Sequence, residues 1–482
     1  MPDFDLLVVG GGPGGYVAAI RAAQRGLSVG LVEKERPGGV CLNWGCIPTK
    51  AMLRSAEVFQ TVSAAAEFGV HADNVRFDFA AVRQRKDGIV KELTDGVAGL
   101  LKANGVTVIE GHARFTGATT VRVYETGPSP IFPGGPRYAA APAAAVREIS
   151  ARDVIVATGS VPARLPIPGA DLPGVVTSDG AFGLTEVPKR LVVIGGSAVG
   201  AEWASLFATF GSQVTVVEMQ DRLVPLEDKE IGDALGRSFR KRGITVLTGA
   251  TVTGIAEGDG LRVTVGGAQA RELEADVVLV GVGRRPNTAD LGLDAAGIST
   301  DARGFIAVDE QLRTDVEHVY AIGDVTGRAL LAHVASHQGL TAADVIAGHE
   351  AHIDYTVIPA ATFTHPEIAS VGLTEDTARA AGYEVIAAKF PFAALGRAKT
   401  FGETEGFVKI VAGARHGEVL GVHIIGPSAS DLITEGALAI SLEATLDELA
   451  DTIHAHPTLG EIGMETALAG LGLPVHIAPR KR

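Results

Sequence analysis

Gly10-Gly11-Gly12-Pro13-Gly14-Gly15 stands between an apolar run, Phe4 to Val9, and an alanine-rich segment, Tyr16 to Arg25. A second apolar run, Leu27 to Val32, ends at Glu33. Strand, glycine turn, helix, strand and acid, in that order, make a dinucleotide-binding unit. Gly10 allows the turn, Gly12 lets a pyrophosphate approach the backbone, and Gly15 lets the helix pack on the strand. The helix N-terminus then faces the phosphates. Glu33, 23 residues after Gly10, is placed to accept hydrogen bonds from a ribose diol.

The unit recurs. Leu191 to Ile194 reads as a strand, Gly195-Gly196-Ser197-Ala198-Val199-Gly200 as the turn, Ala201 to Phe210 as the helix and Gln213 to Val217 as the next strand. Glu218 again follows the first turn glycine by 23 residues. Ser197 takes the place of the second glycine, which predicts a looser phosphate approach without loss of the site. Two such units imply two dinucleotides. An acid at 218 favours a free 2′-hydroxyl, hence NAD; a 2′-phosphate would call for arginine.

Between the two units lie the chain's only two cysteines, in Cys41-Leu42-Asn43-Trp44-Gly45-Cys46-Ile47-Pro48-Thr49-Lys50. An isolated cysteine is ordinarily a small buried hydrophobe. Here the pair is closely spaced, Gly45 lies between its members, and Pro48 is expected to stop regular helix just beyond. In a regular helix residues i and i+5 are roughly 8–9 Å apart, whereas a disulfide spans about 4.4–6.8 Å between Cα atoms. Bridging therefore requires a distorted turn, which Gly45 could allow. A bridge closing so short a loop adds little stability, so a cleavable redox pair explains it better than a staple.

The rest of the chain bounds the reading. With 482 residues, 46% hydrophobic, 5% aromatic and 61 glycines, it suits a large α/β enzyme of several domains. A net charge of −14 argues against a nucleic-acid partner. No apolar run approaches the ~20 residues of a membrane span. Met1 to Asp5 runs directly into the first strand, so no signal peptide is expected, and two cysteines do not make a secreted disulfide framework. A cytoplasmic enzyme is expected. Residues 59–104 read as helices, Val106 to Val123 as strands with Gly111-His112-Ala113-Arg114-Phe115 at a turn, and the Pro/Gly/Ala-rich 125–145 as a loop insertion. Asp324 follows an apolar strand at Gly323, a sound position for holding a ligand hydroxyl. Beyond about residue 357, strands Phe407 to Val411 and Val419 to Ile425 and a helix Asp431 to Leu442 read as a separate α+β domain. Near its end, His454-Ala455-His456-Pro457-Thr458-Leu459-Gly460-Glu461 places His456 before a helix, with Glu461 within reach of its ring: a base oriented by a carboxylate.

On these residues the chain resembles the pyridine nucleotide-disulfide oxidoreductase family. The resemblance runs from Phe4 to about Val475. It is carried by Gly10 to Gly15, Cys41 to Lys50, Ala157-Thr158-Gly159-Ser160, Gly195 to Glu202, Gly283-Arg284-Arg285-Pro286-Asn287, Gly323-Asp324, Leu331-Ala332-His333, Thr364-His365-Pro366 and His454 to Glu461. Only Ser197 and the 125–145 loop depart clearly from the pattern. The resemblance implies an FAD-binding domain over 1–160, an NAD-binding domain over 161–287, a central domain over 288–356 completing the FAD site, and a dimerisation domain over 357–482. It implies non-covalent FAD held by Gly10, Gly12, Pro13, Gly14, Gly15, Glu33, Lys34, Gly39, Lys50, Ala113, Thr158, Gly159, Ser160, Asp324, Leu331, Ala332 and His333. NAD would meet Gly195, Ser197, Gly200, Glu218, Val252 and Gly283. Lys50 and Glu202 would pair beside the flavin, with no metal involved.

The resemblance further implies a substrate, a protein-bound dihydrolipoyl group, and a homodimer whose sites are shared between subunits. The carrier would be a lipoylated acyltransferase of a 2-oxoacid dehydrogenase complex or the carrier protein of glycine cleavage. Cys41 would take the substrate thiolate, Cys46 would face the flavin, and His456 of the partner subunit, held by Glu461, would be the base. Among rival readings, a mercuric-reductase-like or large thioredoxin-reductase-like enzyme calls for a further cysteine pair, which is absent. A glutathione-reductase-like enzyme favours NADPH, against Glu218. Soluble transhydrogenase relatives lack such a Cys pair. A flavin-binding interaction protein would not need Cys41, Cys46, His456 and Glu461 together.

Overall fold

The computed structural model describes residues 1–127 and 144–478. Contacts divide the chain into two units. One holds residues 1–164, 176–186 and 283–353; the other holds 165–175, 187–282 and 354–482.

In the first unit β1 (Phe4–Val9) leads through the turn into α1 (Pro13–Gln24) and then β2 (Val29–Glu33). β1 pairs in parallel with β2 on one side and with the strand Ala145–Val156 on the other. Leu6, Leu7 and Val8 are completely buried, because a central parallel strand is covered on both faces. Thr107–Glu110 extends the sheet beyond β2, and Val319–Ala321 pairs with Ala145–Val156. α1 starts three residues earlier than its alanine run suggested. Pro13 occupies its first position, where the missing N–H is no loss. α1 lies against the Ala332–Ile346 helix at a distance that small residues set: a Cβ at Gly339 would stand 2.4 Å from the Gly14 carbonyl oxygen.

Two local expectations are corrected. Pro48 does not stop a helix. α2 (Gly39–Trp44) ends at Gly45, and α3 (Cys46–Ser63) begins immediately, with Pro48 in its first turn where no intrahelical donor is needed. Nor is Gly111 to Phe115 a turn. Only Gly111 turns; His112–Gly117 is a strand, with Ala113 and Phe115 inward and Arg114 outward. That alternation of faces outweighed the glycine. Within the expected 125–145 insertion, residues 128–143 lie outside the described residues, and Ala145 already opens a strand.

In the second unit β3 (Arg190–Ile194), α4 (Ala198–Thr209) and β4 (Gln213–Val217) repeat the arrangement, with Thr245–Leu247 beside β4 and Val277–Val280 beside β3, all parallel. The C-terminal part is a five-stranded antiparallel sheet. Its apolar face packs with α5 (Ala429–Ser441) and α6 (Glu461–Gly470). Lys409, on a strand of this sheet and 2% exposed, carries its ammonium to Asp228 at 3.0 Å, Glu230 at 3.1 Å and Glu375 at 2.8 Å. Asp228 caps the Lys229–Lys241 helix and Glu230 lies in its first turn, both within the 187–282 segment. A buried cation needs such partners, and they fasten residues 354–482 to the 187–282 segment. The fold is thus α/β with two dinucleotide-type units and a C-terminal α+β part.

Candidate active site

The two glycine turns are near copies in geometry. Gly10 has φ +104° and Gly195 φ +101°, conformations that favour glycine. A Cβ at Gly10 would stand 2.4 Å from the Ala157 oxygen, and one at Gly195 2.5 Å from the Gly281 oxygen. A Cβ at Gly15 would meet the Gly10 oxygen at 1.8 Å, and one at Gly200 the Gly195 oxygen at 1.9 Å. Glu33 accepts from the Gly11 amide at 2.6 Å and the Glu35 amide at 2.7 Å. Glu218 accepts from Gly196 and Gln220 at the same two distances. Burial pushes the Glu33 carboxyl above its usual range, opposed by those amide bonds. Nothing lies within 4 Å of a Cβ built on Gly12. The equivalent Ser197 has nearly the same extended backbone conformation, φ −77° and ψ −175° against φ −67° and ψ −177° at Gly12.

The surroundings of the first turn suit a dinucleotide. At the first, Thr158 lies beside Gly10 and its hydroxyl is buried without a protein partner, a polar atom that a ligand would satisfy. Pro13 and Gly14 open α1, and Lys34 is half-buried after Glu33. Gly39 opens α2 so near the turn that its Cβ would come 2.7 Å from the Gly12 Cα. Leu331 caps the Ala332–Ile346 helix and His333 is exposed in its first turn. At the second turn, the Val252 side chain is buried in the unit's core.

A layer of braces surrounds Ser160 and Asp324, and sequence reasoning missed it. Arg284–Pro286 pairs antiparallel with Ser160–Pro162. Arg284 Nε donates to Ser160 Oγ at 2.6 Å, Asn287 N donates to the Gly159 carbonyl at 2.9 Å, and Ser160 hydrogen-bonds Asp324. Gln338, completely buried, accepts from the Gly323 amide at 2.5 Å and so fixes the turn that presents Asp324. Gly283, read as a nucleotide contact, has its carbonyl bonded to the Ala163 amide at 2.9 Å. Arg284 and Asn287 stood inside a quoted motif; Gln338 carried no sequence signal.

The cysteines sit where two helices meet. At Gly45 the backbone leaves helical geometry, with φ −139° and ψ −113°, and α2 gives way to α3. A Cβ there would come 3.0 Å from the Val40 oxygen and 3.3 Å from the Cys41 Cα, so glycine permits the close approach. Buried Asn43 donates to the Gly39 carbonyl at 3.0 Å, and Thr49 to the Gly45 carbonyl at 2.7 Å; both hold the break in place. Cys41 is half-buried and Cys46 exposed. A hydrogen bond with the Cys46 thiol, aided by burial, pushes the Cys41 thiol up, while the Lys50 charge pulls it down. Lys50 lies one helical turn beyond Cys46, on the same face of α3.

In the second unit, His456 Nδ1 meets Glu461 Oε1 at 2.8 Å, and Glu461 Oε2 accepts from the Thr458 amide at 2.8 Å. Burial opposes charge on Glu461, but the His456 and Thr458 bonds outweigh it and hold the carboxyl below its usual range. His456 is 77% exposed, and Nε2 has no partner among the described residues. Glu202, buried on α4, accepts from the Phe363 amide at 2.9 Å.

Two dinucleotide turns with a dithiol directly after the first define a class of protein, the disulfide reductases that exchange electrons with a nicotinamide dinucleotide. The chain belongs to the pyridine nucleotide-disulphide oxidoreductase family, whose model matches residues 4–339; the family's dimerisation-domain model matches 358–467. It is 46% identical over 477 residues to the dihydrolipoyl dehydrogenase of Geobacillus stearothermophilus, covering 98% of both chains. It is 43% identical over 482 residues to that of Chlamydia muridarum, covering 99% of both. Among solved structures, LpdA of Mycobacterium tuberculosis is similar, with a TM-score of 0.85 at 30% identity, over 96% of this chain and 98% of that one. So is the HOCl-induced flavoprotein disulfide reductase RclA of Escherichia coli, with a TM-score of 0.83 at 28% identity, over 96% and 99%.

Proposed function

We propose that the enzyme is a dihydrolipoyl dehydrogenase: it reoxidises a protein-bound dihydrolipoyl group through a Cys41–Cys46 disulfide, with non-covalent FAD and NAD. The observation that carries this is the hydrogen-bonded cysteine pair at the Gly45 break, in a chain matched end to end by dihydrolipoyl dehydrogenases.

The chemistry of the chain's own residues is thiol exchange. A dihydrolipoyl thiol attacks as its thiolate. His456, with Nδ1 held by Glu461, takes the proton at Nε2. The thiolate attacks the sulfur of Cys41, the S–S bond breaks, and Cys46 leaves as a thiolate. His456 gives the first proton to water, takes the proton of the second substrate thiol, and passes it to Cys41 as the second thiolate displaces Cys41 from the mixed disulfide. The lipoyl group departs oxidised, and both cysteines are left reduced by the two electrons it gave up. Lys50 stabilises negative charge on the pair. Bound FAD and NAD supply what side chains lack, acceptance of the electron pair and its departure as hydride.

FAD fits the first turn, with Gly12 facing open space, Thr158 unpartnered, and Glu33, fixed by the Gly11 amide at the end of β2, as the acid that would meet the ribose. NAD fits the second, and Glu218 selects it over NADP. Arg222, the arginine nearest Glu218 in sequence, is engaged by Asp221 at 3.0 Å and by the Pro225 carbonyl at 3.1 Å, which leaves it ill-placed for a 2′-phosphate. On this reading 1–160 carries FAD, 161–287 carries NAD, 288–356 completes the FAD site and 357–482 joins two subunits, so that His456 serves the partner's cysteines. The lipoyl carrier is an acyltransferase or a glycine-cleavage protein, in the cytoplasm. No helix among the described residues is long and apolar enough to cross a membrane. The test is NAD⁺ reduction by dihydrolipoamide, run beside NADH oxidation by ferricyanide. Turnover in the second assay alone would overturn the substrate assignment.

A further inference from the structure

The loop that carries His456 holds a second histidine, and its ring is placed very differently. His454 is 10% exposed. Its Nε2 lies 2.7 Å from Glu435 Oε1, and its Nδ1 lies 2.8 Å from the Thr452 carbonyl oxygen. Both neighbours are acceptors, so both bonds exist together only when both ring nitrogens carry hydrogen. No ring nitrogen remains to serve a substrate. His454 is built to hold, where His456 is built to react.

Glu435 is the other half of the device. It projects from α5 and reaches the loop through His454 and α6 through Gly463. A Cβ at Gly463 would stand 3.1 Å from Glu435 Oε2, so α6 rests directly on the carboxylate. Gly463 is two residues beyond Glu461 on that helix. One carboxylate thus touches both the loop that presents His456 and the helix that presents Glu461. Packing alone does not fix it there. Glu435, Gly436, Gly460 and Gly463 border a small, mainly apolar void, about 20 Å³, room for one water at most. Side chains beside a void are held by directional bonds more than by contact.

We propose that His454 and Glu435 form a second imidazole–carboxylate pair that positions the His456–Glu461 pair, making His454 a positioning residue for proton transfer from the dithiol. The inference rests on the reading of His456 as base. Orientation within about 1 Å governs rate steeply, so releasing the loop slows the dithiol step and leaves nucleotide chemistry alone.

The test uses the FAD-loaded enzyme with dihydrolipoamide and NAD⁺. His454→Ala and Glu435→Ala should each lower kcat on the order of 10–100-fold. KM for NAD⁺, FAD content and NADH–ferricyanide turnover should stay at wild-type values. Glu435→Gln keeps an oxygen acceptor for Nε2 and should recover most of the loss. The double variant His454→Ala/Glu435→Ala should be no worse than either single one, because the two act as one unit. In a His456→Gln background, His454→Ala should add nothing, whereas general damage to the fold would multiply the losses. Gly463→Ala, which presses on the carboxylate without touching either histidine, should show the same kcat-selective loss. Undiminished kcat in His454→Ala, multiplied losses in the His456→Gln background, or parallel loss of ferricyanide turnover would each overturn the inference. If His456→Gln itself kept full dithiol turnover, the base assignment would fail instead, so the two failures are distinct.

Discussion

Glu461 holds His456 through a 2.8 Å contact at Nδ1 and, with its other oxygen, holds the Thr458 amide of the same turn. One carboxylate therefore sets both the tautomer of the imidazole and the loop that displays it. His456→Gln should lower dihydrolipoamide turnover by about 10²–10⁴-fold, the usual cost of losing a general acid–base. Glu461→Gln should lower it less, and ferricyanide reduction should survive both. The Glu461 carboxyl is held below its usual range, so its bonds persist above that range and are lost as pH falls through the lowered value. The Tm advantage of the wild type over Glu461→Gln should therefore be present at neutral pH and shrink as pH falls through that lowered value.

The placement of the base on the partner subunit is open to a mixing experiment. Cys41→Ser and His456→Gln chains are each expected to be inactive with dihydrolipoamide. In a heterodimer with shared sites, one site regains an intact cysteine pair and an intact histidine. Activity should reappear on mixing; its absence from a verified heterodimer would assign His456 to its own subunit.

Either Cys→Ser change should abolish lipoamide turnover while the protein stays yellow with bound FAD. Gly45→Val should be nearly as damaging with both sulfurs present, because its side chain would enter space already 3.0 Å from the Val40 oxygen. Lipoamide activity retained in both cysteine variants would make the pair structural.

Nucleotide preference should follow Glu218 and ignore Ser197. Comparing kcat/KM for NAD and NADP, the wild type should favour NAD, and Glu218→Ala should narrow the ratio. Ser197→Gly should leave the ratio unchanged, since on the proposed reading position 197 would meet the pyrophosphate and not the ribose. Equal kcat/KM values in the wild type would count against the assignment.

Lys409 and its three carboxylates make stability depend on pH from both sides. Burial opposes charge on Asp228, but the bond from Lys409 and that from the Glu230 amide hold its carboxyl low; Glu230 and Glu375 are lowered too. Burial likewise opposes charge on Lys409, yet bonds from Glu375 and Asp228 raise it. The carboxylate contribution is present above the ordinary acid range and lost as pH falls through the lowered values. The lysine contribution is present below its ordinary value and lost only as pH rises through the raised one. Lys409→Met leaves the buried Asp228 without its cation, while Glu230 keeps Lys389 and Glu375 keeps Arg379, and should cost about 3 kcal/mol, read as a fall in Tm at neutral pH that shrinks on acidification.

Much of this protein was legible from its chain because the relevant constraints are local. Gly10 and Gly195 are dictated by backbone angles open to glycine, and Glu33 and Glu218 follow at the distance one strand–helix–strand crossing requires. The cysteine pair and the His456–Glu461 pair each lie within six consecutive residues, so spacing alone brought them into range. Pro48 and Gly111 misled, because each was weighed as a breaker without knowing that a helix had just begun or that a strand face was being buried. What decides the rest is contact across long stretches of chain. Gln338 on Gly323, Arg284 on Ser160 and Lys409 on Asp228 join residues 15, 124 and 181 positions apart. Glu435 finds His454 from another helix, 19 positions away. No periodicity or motif encodes such meetings; they exist because packed elements exclude water and leave each buried polar group to find its partner wherever the fold brings one.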